Sequence, residues 1–309
     1  MLALTEDQVR PLADIEQVII AIRAAFTRDY SVTLRMPVRT TLELSGGTIW
    51  LLMPCYDSAL GVAGVKTVTV SRETGVKAAY ELIDPKSGAT MARMEAKWLT
   101  DLRTAATSAV ATDLLARPDA ATLGVFGCGR QALAHMAVLP RVRRFKRFLV
   151  CGSSRPKAEQ FSEKMKAGYG LEVEAVDAGT CAAEADVICT CTTSRTPVFD
   201  SHRLRPGTHL NLVGAFQPAT REVDDETVKR ARIVVDTYDG ALAEAGDLLL
   251  ALQNGTIRRE NILADLHEIA SGKKQARTSR EDITLFKSVG CALEDLVTAK
   301  LVHERASSK

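Results

Sequence analysis

The sequence has little of what would send a chain into a membrane, onto nucleic acid or along the secretory route. No apolar run reaches the roughly 18 to 20 residues that cross a bilayer. The opening Met1-Leu-Ala-Leu-Thr-Glu-Asp7 lacks the basic flank and apolar stretch of a signal peptide. Charge of one sign is missing too: 40 Lys and Arg against 38 Asp and Glu leave a formal charge of +2, which argues against a nucleic-acid binder. The 7 cysteines are scattered from Cys55 to Cys291, an odd number without the density of a disulfide framework. These shortages predict a cytoplasmic protein with reduced thiols, no membrane contact and no nucleic-acid partner.

What remains is ordinary globular material, 46% apolar and 25% charged over 309 residues, enough for about two domains. Thr5-Glu-Asp-Gln8 reads as a capping box, and Ile15 to Phe26 repeats apolar residues at helical spacing, which predicts a short N-terminal helix pair. Between Val38 and Val70 the pattern turns to β-rich runs separated by glycine: Thr40–Leu44, Thr48–Met53 and Val65–Val70, read as antiparallel strands. Another strand follows over 89–96. The alanine-rich stretch from Leu102 to Ala116 predicts a helix that stops at Arg117-Pro118.

From Ala121 strands alternate with helices. Strands are expected at Thr122–Gly127, Phe148–Cys151, Leu171–Val176, Asp186–Cys191, His209–Val213 and Arg232–Asp236, with helices over Arg130–Leu139 and Pro156–Ala167 and a helical connection before each later strand. That succession predicts an α/β fold with a doubly wound parallel sheet. The tail from Ser288 to Arg305 reads as one long helix. The expected division is therefore 121–288 as one domain, with 1–120 and 289–309 joining into a second, α+β one.

Gly127-Cys-Gly129-Arg130-Gln131-Ala132 directly follows the first of these strands and opens a helix. This is the G-x-G-x-x-A dinucleotide fingerprint: Gly127 for the tight turn, Gly129 for close approach of a pyrophosphate, Ala132 for helix-to-strand packing. Unpaired N–H groups and the helix dipole would then bind phosphate. At the end of the second strand, where NAD-selective folds place an acid for the ribose hydroxyls, stands Cys151-Gly-Ser153-Ser154-Arg155-Pro-Lys157. Two hydroxyls and two cations without an acid suit a 2′-phosphate, so NADPH/NADP is the expected cofactor, with NADH as the open alternative.

Two other features carry less. Cys189-Thr-Cys191 sits in an apolar strand, where a lone C-x-C is core rather than a metal site, and no metal is expected. The basic run Arg141-Val-Arg-Arg-Phe-Lys-Arg147 precedes the second strand, at the edge opposite the ligand-binding one, and reads as a solvated turn.

Taken together, Pro37-Val-Arg39, Leu52-Met53-Pro54, Gly64-Val-Lys66, Leu102-Arg103-Thr104-Ala-Ala106, the glycine fingerprint, Cys191-Thr-Thr-Ser194, Asn211-Leu-Val-Gly214 and Thr284-Leu-Phe-Lys-Ser-Val-Gly290 resemble the ornithine cyclodeaminase/mu-crystallin family. The resemblance implies a Rossmann domain beside a dimerisation and substrate domain, in a homodimer acting on a small imino or amino acid. It implies that Arg39, Lys66 and Arg103 hold a substrate carboxylate, with Met53 and Phe216 beside the substrate and Lys66 as the candidate proton donor. A guanidinium suits this task because it can bind a carboxylate through two parallel hydrogen bonds. Thr104, Thr192, Thr193, Val213, Gly214, Ser288 and Gly290 would line the cofactor site.

One departure separates the activities within that family. Where its cyclodeaminases place an aspartate two residues after the V-G pair, this chain has Phe216, which can neither accept a proton nor stabilise an ammonium. The resemblance therefore implies NADPH-dependent reduction of a cyclic ketimine, such as Δ1-pyrroline-2-carboxylate or Δ1-piperideine-2-carboxylate, to L-proline or L-pipecolate. An amino-acid dehydrogenase working on alanine or an N-alkyl amino acid is the alternative. An ornithine cyclodeaminase and a non-catalytic, NADPH-binding mu-crystallin-like protein stand further off.

Overall fold

The computed structural model describes residues 1–71 and 73–308. The chain divides into two compact units, Met1–Thr107 with Gly290–Lys309, and Ser108–Val289.

In the first unit, β1 (Leu2–Leu4) leads into α1 (Glu6–Leu12) and α2 (Ile15–Thr27). The Gln8 side chain accepts from the Thr5 N–H at 2.9 Å, as a capping box requires. Asp14 caps α2 through the Gln17 N–H, and Val18, Ile19, Ile22, Ala25 and Phe26 form its buried face. Then come β2 (Leu34–Arg35), β3 (Thr40–Glu43), β4 (Ile49–Asp57), β5 (Val62–Ser71), β6 (Gly75–Ile83) and β7 (Thr90–Glu95). They form one sheet in the order β1-β7-β6-β5-β4-β2, with β3 also paired to β4. All pairs are antiparallel except β1 with β7.

The helix α3 (Lys97–Leu115) follows, five residues earlier in its start than composition suggested. The unit boundary falls inside this helix, at 107/108 rather than at 120/121. Its second half belongs with the second unit because Ser108 meets His135 Nε2 at 2.9 Å and Thr112 accepts from Asn211 at 2.9 Å.

The second unit runs β8 (Thr122–Phe126), α4 (Arg130–Val138), β9 (Arg147–Cys151), α5 (Arg155–Tyr169), β10 (Glu174–Ala175), α6 (Ala178–Glu184), β11 (Val187–Thr190), β12 (His209–Leu212), α7 (Asp225–Arg230), β13 (Ala231–Val235), α8 (Tyr238–Glu244), α9 (Gly246–Gln253), β14 (Ile262–Asp265), α10 (Leu266–Ala270) and β15 (Ile283–Lys287). The sheet order is β10-β9-β8-β11-β12-β15-β13-β14, with every pair parallel. The chain steps outward from β8 to β10, then returns to lay β11 on the other flank of β8. That reversal is a topological switch point, where open α/β sheets bind ligands beyond the carboxyl ends of their strands. The expected α/β fold with a doubly wound Rossmann sheet is present.

Several expectations change in detail. No α-helix precedes β12; the segment after β11 carries only a 3-10 turn at Ser201–Arg203. The strand expected over 171–176 shrinks to Glu174–Ala175. The tail helix α11 (Ala292–Ser307) begins four residues later than expected. Ser288 instead follows directly on β15, and Gly290 takes φ +84°, a left-handed conformation that cannot continue a helix from this side. The basic run is not simply solvated either. Arg147 pairs with Glu174 at 2.7 Å and with Glu184, and Arg143 donates to the Thr112 and Asp113 carbonyls. Among the described residues no helix is long and apolar enough to cross a membrane.

Candidate active site

At the switch point, β8 delivers the glycine turn. Gly127 has φ +109°, and a Cβ there would sit 2.5 Å from the Cys191 carbonyl oxygen, so no other residue fits. Gly129 is the N-cap of α4, and no side chain caps this helix. A Cβ on Gly129 would meet nothing within 4 Å. An uncapped helix N-terminus opening onto free space fits a dinucleotide pyrophosphate, with Arg130 and Gln131 in the helix's first turn.

Between Cys151 and Lys157, just beyond β9, the chain has no acid. Ser153, Ser154, Arg155 and Lys157 are all exposed where α5 begins. Lys157 Nζ donates to Ser153 Oγ at 3.2 Å, and Arg155 pairs with Glu159 at 2.8 Å. Contacts this exposed are worth little to stability, which leaves the group available to an incoming anion.

The segments after β11 and β12 hold Thr192, Thr193, Val213 and Gly214, and Glu222 ties them together. Thr192 Oγ1 donates to Glu222 at 2.8 Å, while Thr193 is exposed. Phe216 is 41% exposed. Ser288 is buried and donates to Asp236 Oδ2 at 3.1 Å, so its hydroxyl is engaged with the protein. Cys189 is buried, and burial pushes its thiol up to about 12, which opposes the thiolate a metal would need.

The first unit gathers the expected carboxylate-holding residues. Lys66 on β5 is 1% exposed and lies in register with Met53 on β4 and Tyr80 on β6. Its Nζ donates to Asp295 Oδ1 at 2.9 Å. Arg103 on α3 pairs with Glu294 at 2.5 Å and, through Nε, with Asp295 at 3.0 Å. Arg39 Nη2 donates to the Gly290 carbonyl at 3.1 Å. A Cβ on Gly290 would come within 2.5 Å of Arg103 Nη1, so the glycine brings the two arginines to one place. Thr104, one residue along α3, donates to the Thr100 carbonyl at 2.8 Å.

Electrostatics in this cluster oppose one another. Burial and the neighbouring Arg103 lower the Lys66 pKa from 10.5 to about 8, although Asp295 pulls it up. Arg103 is held firmly cationic: Asp295 and Glu294 outweigh the penalty of burial. Three cations and two carboxylates thus come together, Lys66 and Arg103 held by Glu294 and Asp295 and Arg39 by the Gly290 carbonyl.

Glu294 and Asp295 were not singled out as site residues from sequence, yet a signal existed. Two adjacent acids inside Ala292-Leu-Glu-Asp-Leu-Val297 are out of place in an apolar helix unless cations await them. Glu222, Asp247 and Lys287, all fully buried, left no comparable local mark.

The sequence model of the ornithine cyclodeaminase/mu-crystallin family matches residues 1–309. This chain belongs to that family. A Delta(1)-pyrroline-2-carboxylate reductase of Bacillus cereus is 34% identical over 99% of this chain and 97% of its own length. Ketimine reductase mu-crystallin of Mus musculus is 36% identical over 92% of this chain and 90% of its own. The solved structure of Thermococcus litoralis Delta(1)-pyrroline-2-carboxylate reductase in complex with NADH and L-proline superposes with a TM-score of 0.96. It is 36% identical and covers 100% of this chain and 98% of that one.

Proposed function

We propose that this family member is an NAD(P)H-dependent oxidoreductase that reduces the C=N bond of a cyclic ketimine carboxylate, Δ1-pyrroline-2-carboxylate or Δ1-piperideine-2-carboxylate, to L-proline or L-pipecolate. The observation that carries this reading is the convergence of Lys66 and Arg103 on Asp295 and of Arg39 and Arg103 on Gly290, in a chain whose relatives include reductases of such imines.

Each residue has a physical task. Glu294 and Asp295 hold the Arg103 guanidinium from its inner side, so its remaining N–H groups are oriented before a ligand arrives. Arg39 and Arg103 hold the substrate carboxylate, and Met53 forms an apolar wall beside them. Lys66, with a pKa near 8, is mostly protonated at neutral pH yet acidic enough to give a proton to the substrate nitrogen, which suits a general acid. When bound, the nicotinamide cofactor supplies the hydride for the imine carbon. The second unit holds it through Gly127, Gly129, Arg130, Gln131 and the segments around Thr192, Thr193, Val213 and Gly214.

NADPH is the preferred form in this reading, because Ser153, Ser154, Arg155 and Lys157 would meet the ribose end, with no acid among residues 151–157. Reductase chemistry is favoured over cyclodeamination by Phe216 and by its acidic neighbours. Glu222, Asp224 and Asp225 are all engaged in hydrogen bonds of their own.

A homodimer through the first unit completes the proposal. The sheet face opposite Met53 and Lys66 displays Trp50, Leu52, Pro54 and Tyr56 along β4 and Val65 on β5, and Leu42 and Leu44 are exposed nearby. An apolar patch of this kind suits a self-complementary interface. Cys55, Cys128, Cys151, Cys181, Cys189 and Cys191 carry free thiols, which suits a cytoplasmic setting.

The deciding experiment follows NADPH and NADH oxidation with each cyclic imine, with pyruvate plus ammonia or methylamine, and with ornithine while ammonia release is measured. Fastest turnover on a cyclic imine is expected. Ammonia release from ornithine without net cofactor consumption would replace the reductase reading with a cyclodeaminase one.

A further inference from the structure

The second unit buries a carboxylate with no place in the chemistry above. Glu222 is fully buried and accepts five hydrogen bonds. Its Oε1 takes the Thr192 N–H at 2.7 Å and the Thr192 hydroxyl at 2.8 Å. Its Oε2 takes the Thr190 hydroxyl at 2.7 Å, the Gly214 N–H at 2.7 Å and the Ala215 N–H at 3.2 Å. One side chain thus binds the chain leaving β11 and the chain leaving β12.

The surroundings make this a fixed point. Asp247 at the start of α9 accepts from the Glu222 N–H at 2.6 Å and the Val223 N–H at 3.1 Å. Lys287, the last residue of β15, pairs with Asp247 at 2.9 Å and donates to the Ala215 carbonyl at 2.6 Å. A Cβ on Gly214 would collide with both the Thr192 carbonyl oxygen and Glu222 Oε1. The two segments are therefore pressed together with no slack. Thr190, Leu212 and Lys287 end three neighbouring strands, at the sheet edge where open α/β folds bind ligands.

We propose that Glu222 is a positioning residue for the nicotinamide cofactor: it sets the spacing of the 191–194 and 213–216 segments, with Asp247 and Lys287 fixing the carboxylate. The proposal rests on the reading that the cofactor binds at this edge. Glu222 itself does not touch the reacting atoms. Its effect passes through the Thr192 and Gly214 backbones, which a flexible pair of segments would present at scattered heights.

The glutamine variant tests this, because Glu222→Gln keeps the volume but turns one acceptor into a donor facing N–H groups. NADPH and NADH binding are measured by titration, in the full chain, together with steady-state kinetics and thermal unfolding. Glu222→Gln is expected to raise the cofactor Kd and KM by about 10- to 100-fold, the scale of one or two misplaced hydrogen bonds. Turnover at saturating cofactor should change by about threefold at most, and Glu222→Asp should recover part of the affinity.

A purely structural role would instead lower the folded fraction and leave the Kd of the folded molecules unmoved, which would overturn the proposal. Should Glu222→Gln fail to fold, Thr190→Val removes a single donor with little change in shape and is expected to raise the Kd by about three- to tenfold. No change there would equally overturn it. Failure of the wild-type chain to bind either nucleotide would sink the cofactor reading itself. Unchanged Kd in the variants of a binding-competent chain would sink only the role of Glu222.

Discussion

Each unit holds a cluster of charges around two buried carboxylates, and the two clusters differ in what those carboxylates hold. In the first unit Glu294 and Asp295 hold Lys66 and Arg103, and Arg39 joins them through the Gly290 carbonyl. In the second, Glu222 and Asp247 face Lys287 alone. A buried charge must be compensated, and the two units do it differently. The acid-rich cluster is satisfied internally: N–H groups and hydroxyls fill Glu222, and Asp247 takes two backbone N–H groups and the Lys287 ammonium. Such a cluster holds segments in place. In the first unit the carboxylates are filled by side-chain cations instead, the groups that the proposed function assigns to a substrate carboxylate.

The sharpest way to break this comparison is to remove the lysine at its cationic end. Lys66→Met keeps the length of the side chain and deletes both charge and proton. Turnover should fall by about 10²- to 10⁴-fold, the usual worth of a general acid, while NADPH affinity, a property assigned to the second unit, stays unchanged. Near-normal turnover would remove Lys66 from the chemistry. The wild-type rate should also decline above a pH of about 8, as Lys66 loses its proton.

The stability contribution of the same group runs the other way. The folded pKa lies below the unfolded one, so between about 8 and 10.5 the unfolded chain binds the extra proton and Lys66 makes the fold more stable as pH rises. A rate that falls while this contribution grows separates loss of the acid from unfolding; both can be followed in parallel pH series of turnover and denaturant midpoint.

Next in size is Asp295, which serves Lys66 and Arg103 together. Asp295→Ala leaves two buried cations with one carboxylate fewer and should destabilise the fold by about 3 to 5 kcal/mol. Denaturant unfolding reads this directly. Asp295→Asn, which keeps an acceptor, should be milder. Equal stability of Asp295→Ala and wild type would mean that water already reaches the cluster, and the role of Asp295 in holding the two cations would fall with it.

How far the sequence anticipated all this follows the reach of each signal. The glycine fingerprint is local: strand, turn and helix are contiguous, so Gly127 and Gly129 were placed correctly at a turn beyond β8. Arg39, Lys66 and Arg103 came from a resemblance across distant segments, and the fold gathers the two arginines at the Gly290 turn before α11 and ties Lys66 to Asp295 in that helix. The residues that hold them were harder to see. Asp295 is 229 positions from Lys66, and only an odd pair of acids in an apolar helix hinted at it.

Other misses have similar causes. Gly290 has a task beyond the expected one beside the cofactor: its carbonyl and its missing side chain serve the arginines. The start of α11 was set too early because Ser288-Val-Gly carries no helix-breaking proline, and the left-handed turn at Gly290 is a tertiary demand. Strand β1 has three residues, too few for a two-residue period to register.

The smallest expected effect tests the outermost part of the comparison, the cations that are exposed. Arg155 and Lys157 differ from Arg103 and Lys66 in lying open to solvent, with partners that contribute little. Water screens them, so each is worth less to a bound anion than a buried cation. Replacing both by alanine should raise the KM for NADPH by about tenfold and leave that for NADH within about twofold, since NADH carries no 2′-phosphate to lose. Added salt should erode the wild-type preference in the same direction, because exposed charges are screened over about 8 to 10 Å at physiological ionic strength. Equal KM values for the two cofactors in the wild type would assign these residues to a solvated helix start, and would confine cofactor recognition to the glycine turn and the segments that Glu222 holds.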